Sequence, residues 1–137
     1  MRYVLFRIEK DRYALPLGAV REVLVSPESL SRVPRAPPGV RGVMNLRGRV
    51  VTVLELGALL GLPLLNRGLE KLVLLDRGRR DLGLLVSEVE GIEDIEKISP
   101  APGAHAASVQ GIARIGARAV TVLSPEGVDA ALSTLFQ

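Results

Sequence analysis

The sequence predicts an all-β fold, built as two small antiparallel barrels packed on one another, and three observations lead there. The apolar runs are short, of strand length, and separated by turn residues at close intervals. The run GVMNLRGRVVTVL from Gly42 returns as GIARIGARAVTVL from Gly111, an offset of 69 residues. At 137 residues and 47% hydrophobic composition, the chain suffices for one domain, or for two small subdomains sharing a core.

The offset holds upstream without a gap. Val4-Leu5 falls on Val73-Leu74, Leu15 on Leu84, Val20 on Val89 and Val23 on Ile92. Two copies follow, residues 3–54 and 72–123. A module of roughly 50 residues is marginal alone, so the copies should pack together. In the first copy YVLFRI, RYALPL and VREVLV read as strands. A Pro-rich loop, PRAPPG from Pro34 to Gly39, precedes a hairpin whose arms flank Arg47-Gly48. The second copy repeats this order with KLVLLD, DLGLLV, VEGIEDI, the loop SPAPG and ARAVTVLS. Lys10-Asp11 supplies a further turn of the first copy, and Arg77-Gly78 and Ile115-Gly116 supply turns of the second. The string EGIEDIEK, Glu90 to Lys97, reads as an edge strand or a helix with a wet face, or else as a docking surface.

Two helices are expected. ELGALLGL, with stop signals at Gly61 and Pro63, opens a linker helix over 55–71, and PEGVDAALSTLF forms a C-terminal helix over 125–136. The latter starts at Ser124 or Pro125 and places Val128, Leu132, Leu135 and Phe136 at helical spacing.

Composition narrows the function. The formal charge is +3, from 18 basic and 15 acidic residues that are scattered along the chain, and aromatics are only 3% with no Trp. A solvated surface fits this better than a basic, base-stacking nucleic-acid face. The absence of cysteine excludes disulfides and thiolate chemistry and suits a cytoplasmic protein. The N-terminal apolar run is too short for a signal peptide, and the region Val50 to Leu65 is broken by Glu55, Gly57, Gly61 and Pro63. No membrane insertion is expected.

The residues assemble no reaction centre. His105 is the single histidine, in a small-residue loop without clustered carboxylates or cysteine, so no metal site and no Ser-His-Asp set can be built on it. There is no GxxxxGK[ST] and no GxGxxG. The chain is expected to be neither an enzyme nor a cofactor carrier.

Differences between the copies point to work instead. Gly42 and Gly111 at a bend, and the two VTVL strands, are shared and belong to the fold. Arg47 falls on Gly116, Asn45 on Arg114, Glu22 on Gly91 and Arg21 on Glu90. Arg47 offers a five-donor guanidinium from a turn flanked by apolar strands, a setting for recognition.

YALPLGAVREVL, GVMNLRGRVVTVLEL, LGLLVSEVEGI and SVQGIARIGARAVTVL, in that order, resemble the CheW-like coupling proteins of bacterial chemotaxis. The resemblance covers about residues 3 to 124, with the G-V-x-N-L-R-G segment its most specific part. It implies two SH3-like five-stranded barrels in tandem, side by side. It also implies a non-catalytic scaffold that joins a chemoreceptor's cytoplasmic hairpin tip to the regulatory domain of a CheA-type histidine kinase, with other CheW-like domains as possible partners. Receptor-contacting positions in the family match Val20, Glu22, Gly42 and Arg47. The protein would then be cytoplasmic and reach the membrane arrays only through its partners. Two positions depart from the family pattern: Glu55-Leu56-Gly57 stands for the usual Asp-Leu-Arg, and Ser124-Pro125 for a closing Asp. The resemblance also gives the chain no room for a kinase or receiver domain, and leaves pili or development as alternative pathways. The rival readings are a basic SH3-like nucleic-acid binder and a self-assembling protein pairing through edge strands.

Overall fold

The computed structural model describes residues 1–65, 67–77, 80–101 and 108–135; His105 and Phe136 lie outside them. The first copy supplies β1 (Arg2–Ile8), β2 (Asp11–Pro16), β3 (Val20–Val25), β4 (Val40–Leu46) and β5 (Arg49–Glu55). The second supplies β6 (Lys71–Arg77), β7 (Arg80–Val86), β8 (Glu88–Asp94), β9 (Val109–Ile115) and β10 (Arg118–Leu123). Two helices, α1 (Gly57–Leu60) and α2 (Pro125–Leu135), follow the copies.

The two copies are equivalent in register. Tyr3 faces Pro16 as Leu72 faces Leu85, and Asn45 faces Val50 as Arg114 faces Ala119. The copies are not, however, the sheets. One sheet runs β8-β1-β2-β10-β9 and the other β3-β6-β7-β5-β4. Each copy thus gives its first two strands to one sheet and its last three to the other. A short 3₁₀ turn, Leu17–Ala19, carries the first copy across. Residues 3–54 and 72–123 are repeats of sequence and strand pattern, and neither closes a sheet alone.

Three cores result. Tyr3, Leu5, Ala14, Val120 and Val122 fill the first sheet, and Val51, Val53, Leu72, Leu74 and Leu85 fill the second. Between them lies the largest core, where Phe6, Tyr13, Leu15 and Leu54 meet their counterparts Leu75, Leu82, Leu84 and Leu123. The strand exchange and this shared core make the halves interdependent. Phe6 and Tyr13 stack there with ring centroids 6.0 Å apart. The VTVL strands predicted as core are buried on schedule, Val51, Val53, Val120 and Val122 among them.

The paired glycines have a steric cause. Gly42 and Gly111 each sit at a bulge where a connecting segment crosses the strand. A Cβ on Gly42 would lie 2.6 Å from the Ser31 carbonyl oxygen, and its φ of +144° excludes most side chains. A Cβ on Gly111 would strike the carbonyl of Ser99. Ser31 and Ser99 exchange backbone hydrogen bonds with Val43 and Ile112, respectively.

The linker differs from the expected helix over 55–71. Among its described residues the helix is Gly57–Leu60, because Gly61 takes a left-handed C-cap at φ +70° and Pro63 follows. The rest is held by side chains. The buried carboxylate of Glu55 accepts from the Leu65 N–H at 2.6 Å and from Arg41 Nη1 at 2.8 Å. The equivalent position in the second copy, Ser124, caps α2 instead. Its hydroxyl accepts from the Gly127 N–H at 3.1 Å, and Pro125 opens the helix. Val128 and Leu132 bury the α2 face in the shared core, opposite Leu59 of α1. Both departures from the family pattern therefore anchor the segment that follows their copy.

Candidate functional site

The β4–β5 hairpin turns through Arg47-Gly48, with Leu46 opposite Arg49. Both turn residues lie in the left-handed region, at φ +52° and +85°, the signature of a type I′ turn. Glycine or asparagine is the usual choice at the first of these positions. Arginine there costs about 1 kcal/mol of backbone energy. Asn45 and Arg49 account for the rest of the turn's polarity. The Asn45 side-chain oxygen Oδ1 accepts from the Gly48 N–H at 3.0 Å, and Arg49 donates to Asp81.

Arg47 Nη2 donates to Glu22 Oε1 at 2.6 Å, while its side chain stays 64% exposed. The guanidinium is thus aimed by a single carboxylate, with its other donors facing outward. Beside it a depression of about 240 Å³ is lined by Arg21, Glu22, Leu46, Arg47, Arg49 and Val51. Leu46 and Val51 belong to the core of this sheet, so the charged rim surrounds an apolar floor. Arg21 reaches Asp81 at 3.1 Å and Asp76 at 3.5 Å, and Arg49 reaches Asp81 at 2.8 Å. Three arginines and three carboxylates (Glu22, Asp76 and Asp81) balance in charge. Such an arrangement can recognise a mixed polar and apolar partner surface, but it holds no nucleophile–base pair.

The four expected site residues separate in space. Glu22 and Arg47 meet in one ion pair. Val20 lies next along β3, half-buried against the shared core, across a bulge that offsets it from Glu22. Gly42 is buried toward the far end of β4, roughly 15 Å from the turn at strand spacing, beneath Leu30 and Ser31. Its placement is that of a backbone spacer. The sequence marks Arg21 as a copy difference, but Asp76 and Asp81 are not legible there as partners of this site, nor is the contact of Arg49 with Asp81. Their signal was present in the offset: Arg21 stands where Glu90 stands, and Asp81 where Arg12 stands. Among the described residues no group of three or more His, Asp or Glu could hold a metal ion. No helix there is long and apolar enough to cross a membrane.

Comparisons with known proteins agree with this architecture. The CheW-like domain model matches residues 2–131. The chemotaxis protein CheW of Thermotoga maritima is 26% identical over 87 residues, 64% of this chain and 57% of that protein. A probable CheW of Rhizobium etli is 30% identical over 72% of this chain and 65% of its own length. The matches therefore span between about half and two thirds of these relatives. The crystal structure of the scaffolding protein TtCheW from Thermoanaerobacter tengcongensis superposes with a TM-score of 0.76 at 23% identity, over 90% of this chain and 88% of that one. With a family match running from the first strand into the terminal helix, on a pair of five-stranded sheets, the chain belongs to the CheW-like domain family.

Proposed function

We propose that this protein is a non-catalytic coupling adaptor of bacterial signal transduction. It binds the cytoplasmic hairpin tip of a methyl-accepting chemoreceptor and the regulatory domain of a CheA-type histidine kinase, in chemotaxis or a related motility or developmental pathway. The observation that carries the reading is Arg47, held in an unfavourable left-handed turn and aimed by Glu22 while remaining exposed. Backbone strain at an exposed charged tip is retained where the tip does work. Val20 and Gly42 contribute from behind, one packing β3 onto the core and the other letting the crossing segment lie close over β4. The curated relatives, named as chemotaxis proteins, support the same reading. The protein acts in the cytoplasm and reaches receptor arrays through its partners, without cofactor or metal.

A basic nucleic-acid surface is disfavoured, because Arg12, Arg21, Arg41, Arg47 and Arg49 are each ion-paired. Purified protein is incubated with a receptor cytoplasmic fragment and a CheA regulatory domain from the same genome, alongside Arg47→Glu. The expected result is capture of both by the wild type and loss of the receptor fragment alone by the variant. Capture of neither, with a labelled oligonucleotide retained at physiological salt, would contradict the proposal.

A further inference from the structure

The two copies carry matched ion pairs of opposite polarity. In the first sheet Arg12 of β2 pairs with Glu90 of β8, with Nε donating at 2.8 Å and Nη2 at 3.3 Å to the two carboxylate oxygens. In the second sheet the equivalent strands are β7 and β3. There Asp81 stands for Arg12 and Arg21 for Glu90, and the two pair at 3.1 Å. Next to them Arg7 of β1 is replaced by Asp76 of β6, which Arg21 also reaches. Every charge at these three equivalent positions is inverted. Each of these ion pairs joins one copy to the other.

We infer that this inversion specifies the strand exchange: it favours the sheets in which the copies share strands and opposes barrels in which each copy pairs with itself. The equivalence of registers makes the alternative concrete. A self-contained first copy would place β3 where β8 now lies beside β1, setting Arg21 against Arg12 and Arg7. A self-contained second copy would set Glu90 against Asp81 and Asp76. Both ion pairs would become like-charge clusters. Arg49, which crosses to Asp81 at 2.8 Å, would join the all-arginine cluster. A repeated hydrophobic pattern cannot make this choice, because both arrangements bury the same apolar residues at the same strand positions. The sites are partly shielded, with side-chain exposures of 22% and 25% at Arg12 and Glu90 and 30% and 11% at Arg21 and Asp81, so the charges discriminate more than at an open surface.

The test separates discrimination from simple stabilisation. Arg12→Glu combined with Glu90→Arg keeps an attractive pair in the native sheet but makes both self-contained pairings attractive as well. Arg12→Gln combined with Glu90→Gln removes the charges of the first-sheet pair, and with them the like-charge opposition to Arg21 and Asp81 in self-contained copies, while leaving the Arg21–Asp81 pair in place. The chain has no cysteine, so engineered pairs report topology cleanly. Arg2 faces Asp94 across β1 and β8, and Val25 is the residue equivalent to Asp94 on β3. Arg2→Cys with Asp94→Cys therefore reports the exchanged sheets, and Arg2→Cys with Val25→Cys reports a self-contained copy. Each pair is refolded from denaturant under oxidising conditions in all three charge backgrounds. The expected result is an intramolecular crosslink between positions 2 and 94 alone in the wild type. In both altered backgrounds the yield of the 2–25 crosslink should rise at least tenfold. An exclusive 2–94 crosslink in all three backgrounds would overturn the inference. So would loss of both crosslinks in both altered backgrounds, which would make the residues struts of the native sheet rather than selectors of it.

Discussion

The hairpins β4–β5 and β9–β10 occupy equivalent places in the two sheets with the same strand pairing, and their turns differ. Strand register and bulge are the same, and a glycine sits under each crossing segment, although Ser99 crosses one position earlier than the 69-residue offset from Ser31. One tip is Arg47-Gly48 with both residues left-handed, whereas at the other only Gly116 is, at φ +62°, and Ala117 follows. The second tip shows that an easier turn closes the same hairpin. Closure of the hairpin alone does not require an arginine at the first tip, which is where the proposed recognition role enters. Internal repetition separates what the architecture requires from what it merely permits.

That comparison can be broken most severely in the cores. Val53 and Val122 are equivalent and fully buried, so Asp at either should destabilise by roughly 4 kcal/mol or more, and by similar amounts, in chemical denaturation. A normal melting temperature for one of the two would break the register equivalence. The bulge glycines come next. Gly42→Ala and Gly111→Ala should each lower stability by about 2 kcal/mol, the former through backbone conformation as well as the clash. Equal tolerance of alanine at both would show that the crossing segments simply move aside.

The ends of the copies sharpen the comparison at smaller scale. Glu55→Ala should cost roughly 2 kcal/mol and speed hydrogen exchange at the Leu65 N–H, since a buried acceptor of two hydrogen bonds is removed. Ser124→Ala should cost about 1 kcal/mol, the usual worth of a helix N-cap, and leave the linker unchanged. The smallest effect concerns Tyr13, which stands where the second copy has Leu82. Burial, helped by Asp11, holds its phenol above the ordinary value of 10.0. The folded state thus keeps this proton more tightly than the unfolded one. That contribution is complete below pH 10 and fades as pH rises through the folded value. Tyr13→Phe should flatten the loss of stability above pH 10, and an unchanged alkaline slope would assign it to other groups.

How much of this was legible follows from what periodicity encodes. The 69-residue offset gave both copies, the strands and their turns, because strand spacing and turn chemistry are local. The strand exchange was not legible from hydrophobic pattern, which is identical for self-contained and exchanged copies. It was written instead in the sign of Arg12, Arg21, Asp81 and Glu90, readable only once strand neighbours are known. The linker shows the opposite error. A helix over 55–71 is expected, but Gly61 and Pro63 confine the helical part to one turn, and Glu55 holds the Leu65 N–H beyond it. At the candidate site the turn position and the copy difference exposed Arg47. Its pairing with Glu22, and the arginines beside it, depend on contacts between strands far apart in sequence.

The most direct measurement is calorimetric titration of a receptor cytoplasmic fragment into three proteins: wild type, Arg47→Glu, and the swap Arg47→Glu with Glu22→Arg. The swap restores the ion pair at the tip and reverses its outward charge. If Arg47 recognises the receptor, both variants should lose at least tenfold in affinity while melting within about 3 °C of wild type, a shift that marks less than roughly 1 kcal/mol in stability. Recovery of wild-type affinity in the swap would contradict the account, reducing Arg47 to one half of an ion pair that shapes the turn.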